Sequence, residues 1–180
     1  METKLIQIGG YHITVKPMMM RTLLGSCVAI CVYNKTNGHA AMNHFLLPSA
    51  KIIEMRNNPG RYGQSSCELI IRSLMRNDPD PSHYTAQVFG GAKMFGIQGS
   101  IGEIGNLNIE LAKQIVKKYK IPIIHHDTGG TKGRKILFNT EENRVESQEL
   151  GDNIDFKTLK MQHRKAFKRI EEIYLRFPKA

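Results

Sequence analysis

The chain has no tryptophan, only three cysteines, and no apolar run approaching the ~20 residues that a membrane-spanning helix needs. Each shortage removes a class of protein. The opening stretch, Met1 to Val15, mixes charge, glycine and apolar residues and lacks the uninterrupted core of a signal peptide. An odd number of cysteines without such a leader argues against a disulfide framework and predicts a cytoplasmic protein. Cys27 and Cys31 stand four apart in a strand-like segment, which sets their α-carbons about 13 Å apart, too far for a disulfide. The same spacing makes them poor partners for one zinc ion. Acidic residues are scarce relative to basic ones, 16 against 26, so the formal charge is +10. The excess is uneven: Lys157 to Ala180 holds eight basic and two acidic residues, and the first 156 residues are only mildly cationic.

What remains is ordinary globular material. With 41% hydrophobic and 23% charged residues, 180 residues suffice for one domain with a closed core. Leu5 to Ile8, Tyr11 to Val15, Cys27 to Asn34 and Ala40 to Leu47 read as strands, the last two joined by the turn chemistry of Asn34-Lys35-Thr36-Asn37-Gly38. The polar stretch from Ser49 to about Gly63 is long enough for an active-site flap. Cys67, Ile70, Ile71 and Leu74 recur at helical spacing and predict a helix over Gln64 to Arg76. Thr85 to Phe89 is a strand. A run with Gly96, Gly99, Gly102 and Gly105 leads into a helix from about Asn106, with Ile109, Ala112, Val116 and Tyr119 as its buried stripe. Ile121 to His125 and Lys135 to Phe138 are strands around a glycine-rich turn, Gly129 to Gly133, which reads as a hairpin turn. Leu159, His163, Phe167, Ile170, Tyr174 and Phe177 give the tail an apolar face between basic ones. There is no internal repeat.

The hairpin carries the sharpest chemical signal. If its loop is Asn34 to Asn37, Tyr33 faces Gly38 and Cys27 faces His44, with β-carbons about 4.5–5.5 Å apart, within reach of a thiol–imidazole pair. A tighter turn on Asn37-Gly38 sets His44 against Cys31 instead, and register alone does not choose. The local chain favours Cys27, which follows Gly25-Ser26 at the strand mouth, where backbone N–H groups are free to build an oxyanion hole. Cys31, between Ile30 and Val32, suits a small buried hydrophobe. The bland alternatives are a core cysteine at 27 and a structural histidine at 44.

The run Thr22-Leu23-Leu24-Gly25-Ser26-Cys27-Val28-Ala29, followed by Met42-Asn43-His44-Phe45-Leu46-Leu47-Pro48, resembles the active-site signature of the CheD family of chemoreceptor glutamine deamidases. The likeness continues through Phe89-Gly90-Gly91-Ala92-Lys93-Met94-Phe95 and Ile101-Gly102 to Asn106, and ends in Asp127-Thr128-Gly129-Gly130-Thr131-Lys132-Gly133-Arg134-Lys135. It implies a single-domain three-layer α/β/β sandwich; the tail's own apolar stripe adds an extra basic C-terminal helix, so the expected division is a CheD-like deamidase domain over 1–151 and a basic helical extension over 152–180. It implies Cys27 as nucleophile, His44 as base and the backbone of Ser26 and Cys27 as the oxyanion donors, with no metal or organic cofactor. The substrates implied are glutamines on chemoreceptor helices, and the implied partner is a CheC-type phosphatase. The family pattern places a threonine six residues before the cysteine to orient the histidine. Arg21 occupies that position here, and Thr22 stands next to it. Because a one-residue shift in an ideal strand reverses the side chain, Thr22 is expected to serve only if a bulge before Gly25 turns it back.

Four other readings compete. His125-His126-Asp127 looks like a metal cluster, but adjacent strand residues point to opposite faces, so one structural and one exposed histidine is the expectation. The glycine run before Asn106 lacks dinucleotide and P-loop spacing. The pI of about 9.6 suggests a nucleic-acid-binding module, which the missing tryptophan and the confinement of charge to the tail disfavour. A catalytically weak adaptor for receptors or for the CheC-type phosphatase is the remaining alternative.

Overall fold

The computed structural model describes residues 1–93, 103–151 and 154–176. The fold grows from two sheets that share a core. In chain order the strands are β1 (Thr3–Leu5), β2 (Tyr11–Thr14), β3 (Met19–Leu24), β4 (Val28–Asn34), β5 (Ala40–Asn43), β6 (Tyr84–Gly90), β7 (Ile123–Thr128), β8 (Arg134–Asn139) and β9 (Arg144–Glu149). The helices are α1 (Ile52–Asn57), α2 (Gly63–Met75), α3 (Ile104–Lys118) and α4 (Ile154–Arg176). One sheet has the order β2-β5-β4-β6-β7 and the other β1-β3-β8-β9.

β4 is buried on both faces, and its alternation divides the interior. Val28, Ile30 and Val32 pack with Cys67, Ile70, Ile71 and Leu74 of α2 and Ala112, Ile115 and Val116 of α3. Cys27, Ala29 and Cys31 point the other way, to Met20, Leu24, Ile136 and Phe138 of the second sheet. Helices, five strands and four strands therefore stack as three layers, α/β/β, as the resemblance implied. A strand buried on both faces reads as a continuous apolar run, which is how Val28 to Val32 appears in the sequence.

The β4–β5 hairpin adopts neither of the two registers expected. Its ladder pairs Tyr33 with Ala40 and Cys31 with Met42, and it resumes past β5 as a bridge between Val28 and Phe45. The loop is Lys35 to Gly38, closed by the Asn34 N–H donating to the His39 carbonyl at 2.8 Å. The reason is Asn34. Its backbone stays in the ladder while its side-chain oxygen accepts from the N–H groups of Thr36 and Asn37 at 2.8 and 3.1 Å. Gly38, at φ +74°, supplies the left-handed residue that brings the chain back.

Several other expectations need correction. β3 and β9 were not foreseen, and Leu5 to Ile8 contributes only the end of β1. Gly129 to Gly133 is not a hairpin turn, because β7 and β8 belong to different sheets. The stretch from Ser49 to Gly63 holds α1 and a 3₁₀ turn, and its end is anchored where the Leu46 N–H donates to the Arg61 carbonyl and the Gly63 N–H to the Leu47 carbonyl. His125 and His126 are both exposed, and no group of three or more metal-binding side chains occurs among the described residues. Gly96, Gly99, Gly102 and Phe177 lie outside the described residues, as do the side chains of Ile170 and Tyr174.

Candidate active site

The chain leaves one sheet at Leu24 and enters the other at Val28, so Gly25-Ser26-Cys27 is the crossing between layers. Two contacts fix it from the side of β6. The Gly91 N–H donates to the Cys27 carbonyl and the Ala92 N–H to the Gly25 carbonyl, both at 2.8 Å. These demand the Gly90-Gly91 pair. Gly90 sits at φ +102° with the Cys27 carbonyl where a Cβ would project, and Gly91 at φ +73° lies against Ile109. Arg134, buried at 3% exposure, donates to the carbonyls of Gly90 and Gly129 at 3.0 and 2.9 Å. The described parts of three signature segments, around Gly25 to Cys27, Gly90 to Ala92 and Gly129 to Arg134, thus converge on one loop. Asn108 completes the support from α3, donating through Nδ2 to the Ser26 carbonyl at 3.0 Å and the Leu46 carbonyl at 2.9 Å.

Continuing the bridge between Val28 and Phe45 by one residue each way sets Cys27 against Leu46 and His44 against Ala29. In a regular sheet that pairing makes Cys27 and His44 diagonal neighbours on one face, with α-carbons roughly 7–8 Å apart, and no hydrogen bond joins their side chains. The His44 backbone is pinned on its outer side, accepting from the Gly9 N–H at 2.7 Å and donating to the Gly10 carbonyl at 2.9 Å.

Thr22 reaches His44 without any bulge. The β3–β8 ladder is unbroken from Met19 to Leu24, and Thr22 faces inward with Met20 and Leu24 while Arg21 is exposed. The parity expected between positions 22 and 27 fails because the two residues stand on different, facing sheets. The Thr22 hydroxyl donates to the Ile6 carbonyl at 2.6 Å, so its oxygen is left to accept from His44 Nδ1 at 2.7 Å. This network assigns the ring proton to Nδ1 and leaves a lone pair on Nε2, which has no hydrogen-bond partner among the described residues.

A second imidazole adjoins the thiol. Nε2 of His163, on α4, lies 3.7 Å from Cys27 Sγ. Burial pushes the Cys27 thiol up, opposed more weakly by its own backbone N–H. Burial lowers His44 to about 3, with the Ile6 carbonyl opposing and His163 adding to the effect. His163 is lowered to about 4, also by burial. As folded, the site therefore holds a neutral thiol beside two neutral imidazoles. Cys31 and Cys67 are buried free thiols. Cys31 pairs with Met42 in mid-ladder, and Cys67 receives the Asn43 side-chain amide at 3.4 Å.

Sequence reasoning missed Asn108 and the position of His163. Asn108 had a signal: it lies four residues before Ala112 on the buried stripe of α3, where a polar residue requires partners. His163 was visible as a histidine in the apolar stripe of a basic tail.

Two facing sheets with helices packed on one outer side, enclosing a buried thiol and two buried imidazoles, define the class: a three-layer α/β/β protein. A family model described as CheD chemotactic sensory transduction matches residues 46–149. A probable chemoreceptor glutamine deamidase CheD 1 of Geobacter sulfurreducens is 36% identical over 141 residues, 74% of this chain and 70% of that protein. A probable chemoreceptor glutamine deamidase CheD of Caldanaerobacter subterraneus subsp. tengcongensis is 31% identical over 161 residues, 87% of this chain and 99% of that protein. One from Thermococcus kodakarensis is 34% identical over 154 residues, 84% and 95% of the two chains. The chain belongs to the CheD family. The model's match begins two residues past His44, so Thr22, Cys27 and His44 lie outside it.

Proposed function

We propose that this protein converts glutamine side chains of chemoreceptors to glutamate, with Cys27 as nucleophile, His44 as base and Thr22 as the residue that orients His44. The single observation that carries the assignment is the Thr22–His44 bond with its proton fixed on Nδ1. It leaves a bare Nε2 on the same sheet face as a thiol held at the crossing between layers. The names of the relatives supply the substrate class.

The chemistry follows from these positions. His44 Nε2 takes the thiol proton, and the Cys27 sulfur attacks the side-chain carbonyl carbon of glutamine. Backbone N–H groups of Ser26 and Cys27 stabilise the oxyanion. Collapse breaks the C–N bond, the proton on His44 passes to the departing nitrogen, and ammonia leaves a thioester. Water, deprotonated by His44, attacks that thioester, releasing glutamate and restoring the thiol. No step calls for a metal or an organic cofactor. On this reading the protein works in the cytoplasm, beside the signalling helices of its receptor substrate, with a CheC-type phosphatase as a further partner.

The test is incubation with receptor cytoplasmic fragments and detection by mass spectrometry of Gln→Glu conversion that the Cys27→Ala variant lacks. Receptor binding without conversion would favour the adaptor reading. Conversion by Cys27→Ala would refute the assignment of the nucleophile.

A further inference from the structure

The proposed nucleophile is not accessible. Cys27 is 0% exposed and His44 1%, whereas a reacting carbonyl must come within about 3–3.5 Å of the sulfur. One wall of the enclosure is α4. Its inward stripe, Leu159, His163 and Phe167, repeats at i, i+4 and i+8, and all three side chains are buried. His163 stands against the sulfur and stacks at a tilt on Phe167, ring centroids 5.7 Å apart. Leu159 fills the space above Gly133 where a Cβ would otherwise project. The opposite face, with Lys157, Lys160, Arg164, Lys165 and Lys168, is exposed.

Among the described residues no backbone hydrogen bond joins α4 to the two sheets; Leu159, His163 and Phe167 are its buried side chains, and Ala166 packs half-buried against the same core. Its imidazole is an imperfect plug: Nδ1 of His163 is buried with no hydrogen-bond partner among the described residues. A buried donor or acceptor left unpaired costs free energy, so the closed arrangement is less firmly held than a fully satisfied core contact.

We propose that α4 is a self-blocking helix, seated on the surface where a substrate helix must dock to deliver its glutamine to Cys27, and displaced when that helix binds. The identity of the competitor rests on the deamidase reading above, but the block itself does not. The neutral, desolvated state of the thiol and imidazoles is a property of the closed form. Displacement of α4 rehydrates the pair and admits the carbonyl in the same movement. The closed chain is thus a resting form whose opening is driven by substrate.

The test is alkylation of the full-length chain with iodoacetamide, followed residue by residue by peptide mass spectrometry. Cys31, in mid-strand on the same face as Cys27, and Cys67, on the helix side of the sheet, report global unfolding. Arg164→Pro breaks α4 from its exposed face without touching the sheets, and Phe167→Ala weakens one anchor. The expected result is slow labelling of Cys27 in the native chain, about 10²-fold faster labelling in Arg164→Pro and an intermediate rate in Phe167→Ala, with Cys31 and Cys67 protected throughout. Equal Cys27 rates in all three proteins would overturn the proposal. Simultaneous exposure of all three cysteines would also overturn it, since α4 would then be an integral wall of the core. No substrate enters this assay, so gated labelling in a protein inactive on receptors would sink the deamidase reading and leave the block standing.

Discussion

Replacing Thr22 with valine keeps the branched shape and volume of the side chain and removes only the hydroxyl. Two buried groups then lose a partner: the Ile6 carbonyl, which accepts from Thr22 at 2.6 Å, and His44 Nδ1, which donates to it at 2.7 Å. Among the described residues the other acceptor near Nδ1 is the Ile6 carbonyl itself, at 3.4 Å, too long to replace the lost bond. Leaving a buried donor unsatisfied costs about 1–3 kcal/mol. If that cost falls on the orientation and tautomer of the base, turnover drops by about 10–100-fold, at 1.36 kcal/mol per factor of ten. The assay is kcat for Gln→Glu conversion at saturating receptor fragment, with folding checked by far-ultraviolet circular dichroism. Thr22→Ser restores the hydroxyl and should recover most of the rate, which a purely structural role for the methyl group would not produce. A folded Thr22→Val protein with unchanged kcat would remove Thr22 from the site and leave a Cys–His pair.

Further outcomes follow from the same geometry. Cys27→Ala should abolish conversion, with a loss of several orders of magnitude, while Cys31→Ser in mid-strand keeps most of the rate; the opposite pattern in a steady-state assay would invert the choice of nucleophile. Asn108→Leu should lower kcat by roughly tenfold, because the loop carrying Cys27 loses the amide that ties it to Leu46, and urea midpoints measured alongside separate this from lost stability. Arg21→Ala, exposed beside the site, should raise KM for an acidic receptor helix more than it lowers kcat. Acid should destabilise the fold. His44 and His163, lowered to about 3 and about 4, stay neutral when folded but take up protons below about pH 6.5 when unfolded. Their contribution is intact above about pH 6.5 and is lost as pH falls towards 4 and then 3. His163→Leu should therefore flatten the slope of urea stability between pH 6 and 5 by about 1.4 kcal/mol per pH unit, and an unchanged slope would show His163 exposed in solution.

Strong periodicity made most of the fold legible. α2 and α3 announce themselves by Cys67, Ile70, Ile71 and Leu74 and by Ala112 and Val116, and each is found within a residue or two of its expected start. β4 is equally plain because it is buried on both faces. β3 and β9 were not legible for the opposite reason. Met19-Met20-Arg21-Thr22 has little β-branched character, and Arg144 to Glu149 alternates Val145 with exposed charge at the sheet edge. Their strand state comes from pairing with β8, a long-range partner that no local window contains. The missed break between β7 and β8 has the same origin: glycines signal a change of direction but not which sheet the chain joins next.

The candidate site shows a sharper division between what local rules reach and what they miss. The two registers weighed for the hairpin and the one adopted differ by steps of two in the facing partner, so all three put Cys27 and His44 on one face. The shared face was thus safe even though both pairings were wrong. Thr22 was the reverse case, since the rule that a one-residue shift flips a side chain was sound and was applied across a boundary where it does not hold. Gly25 to Cys27 carries the chain from one sheet to the other, so inward at position 22 and inward at position 27 are opposite directions that meet in the same core. An enclosed site built where two sheets face each other draws its parts from both. A single-sheet periodicity therefore recovers Cys27 and His44, and only the layer-to-layer packing supplies Thr22 from β3, Asn108 from α3 and His163 from α4.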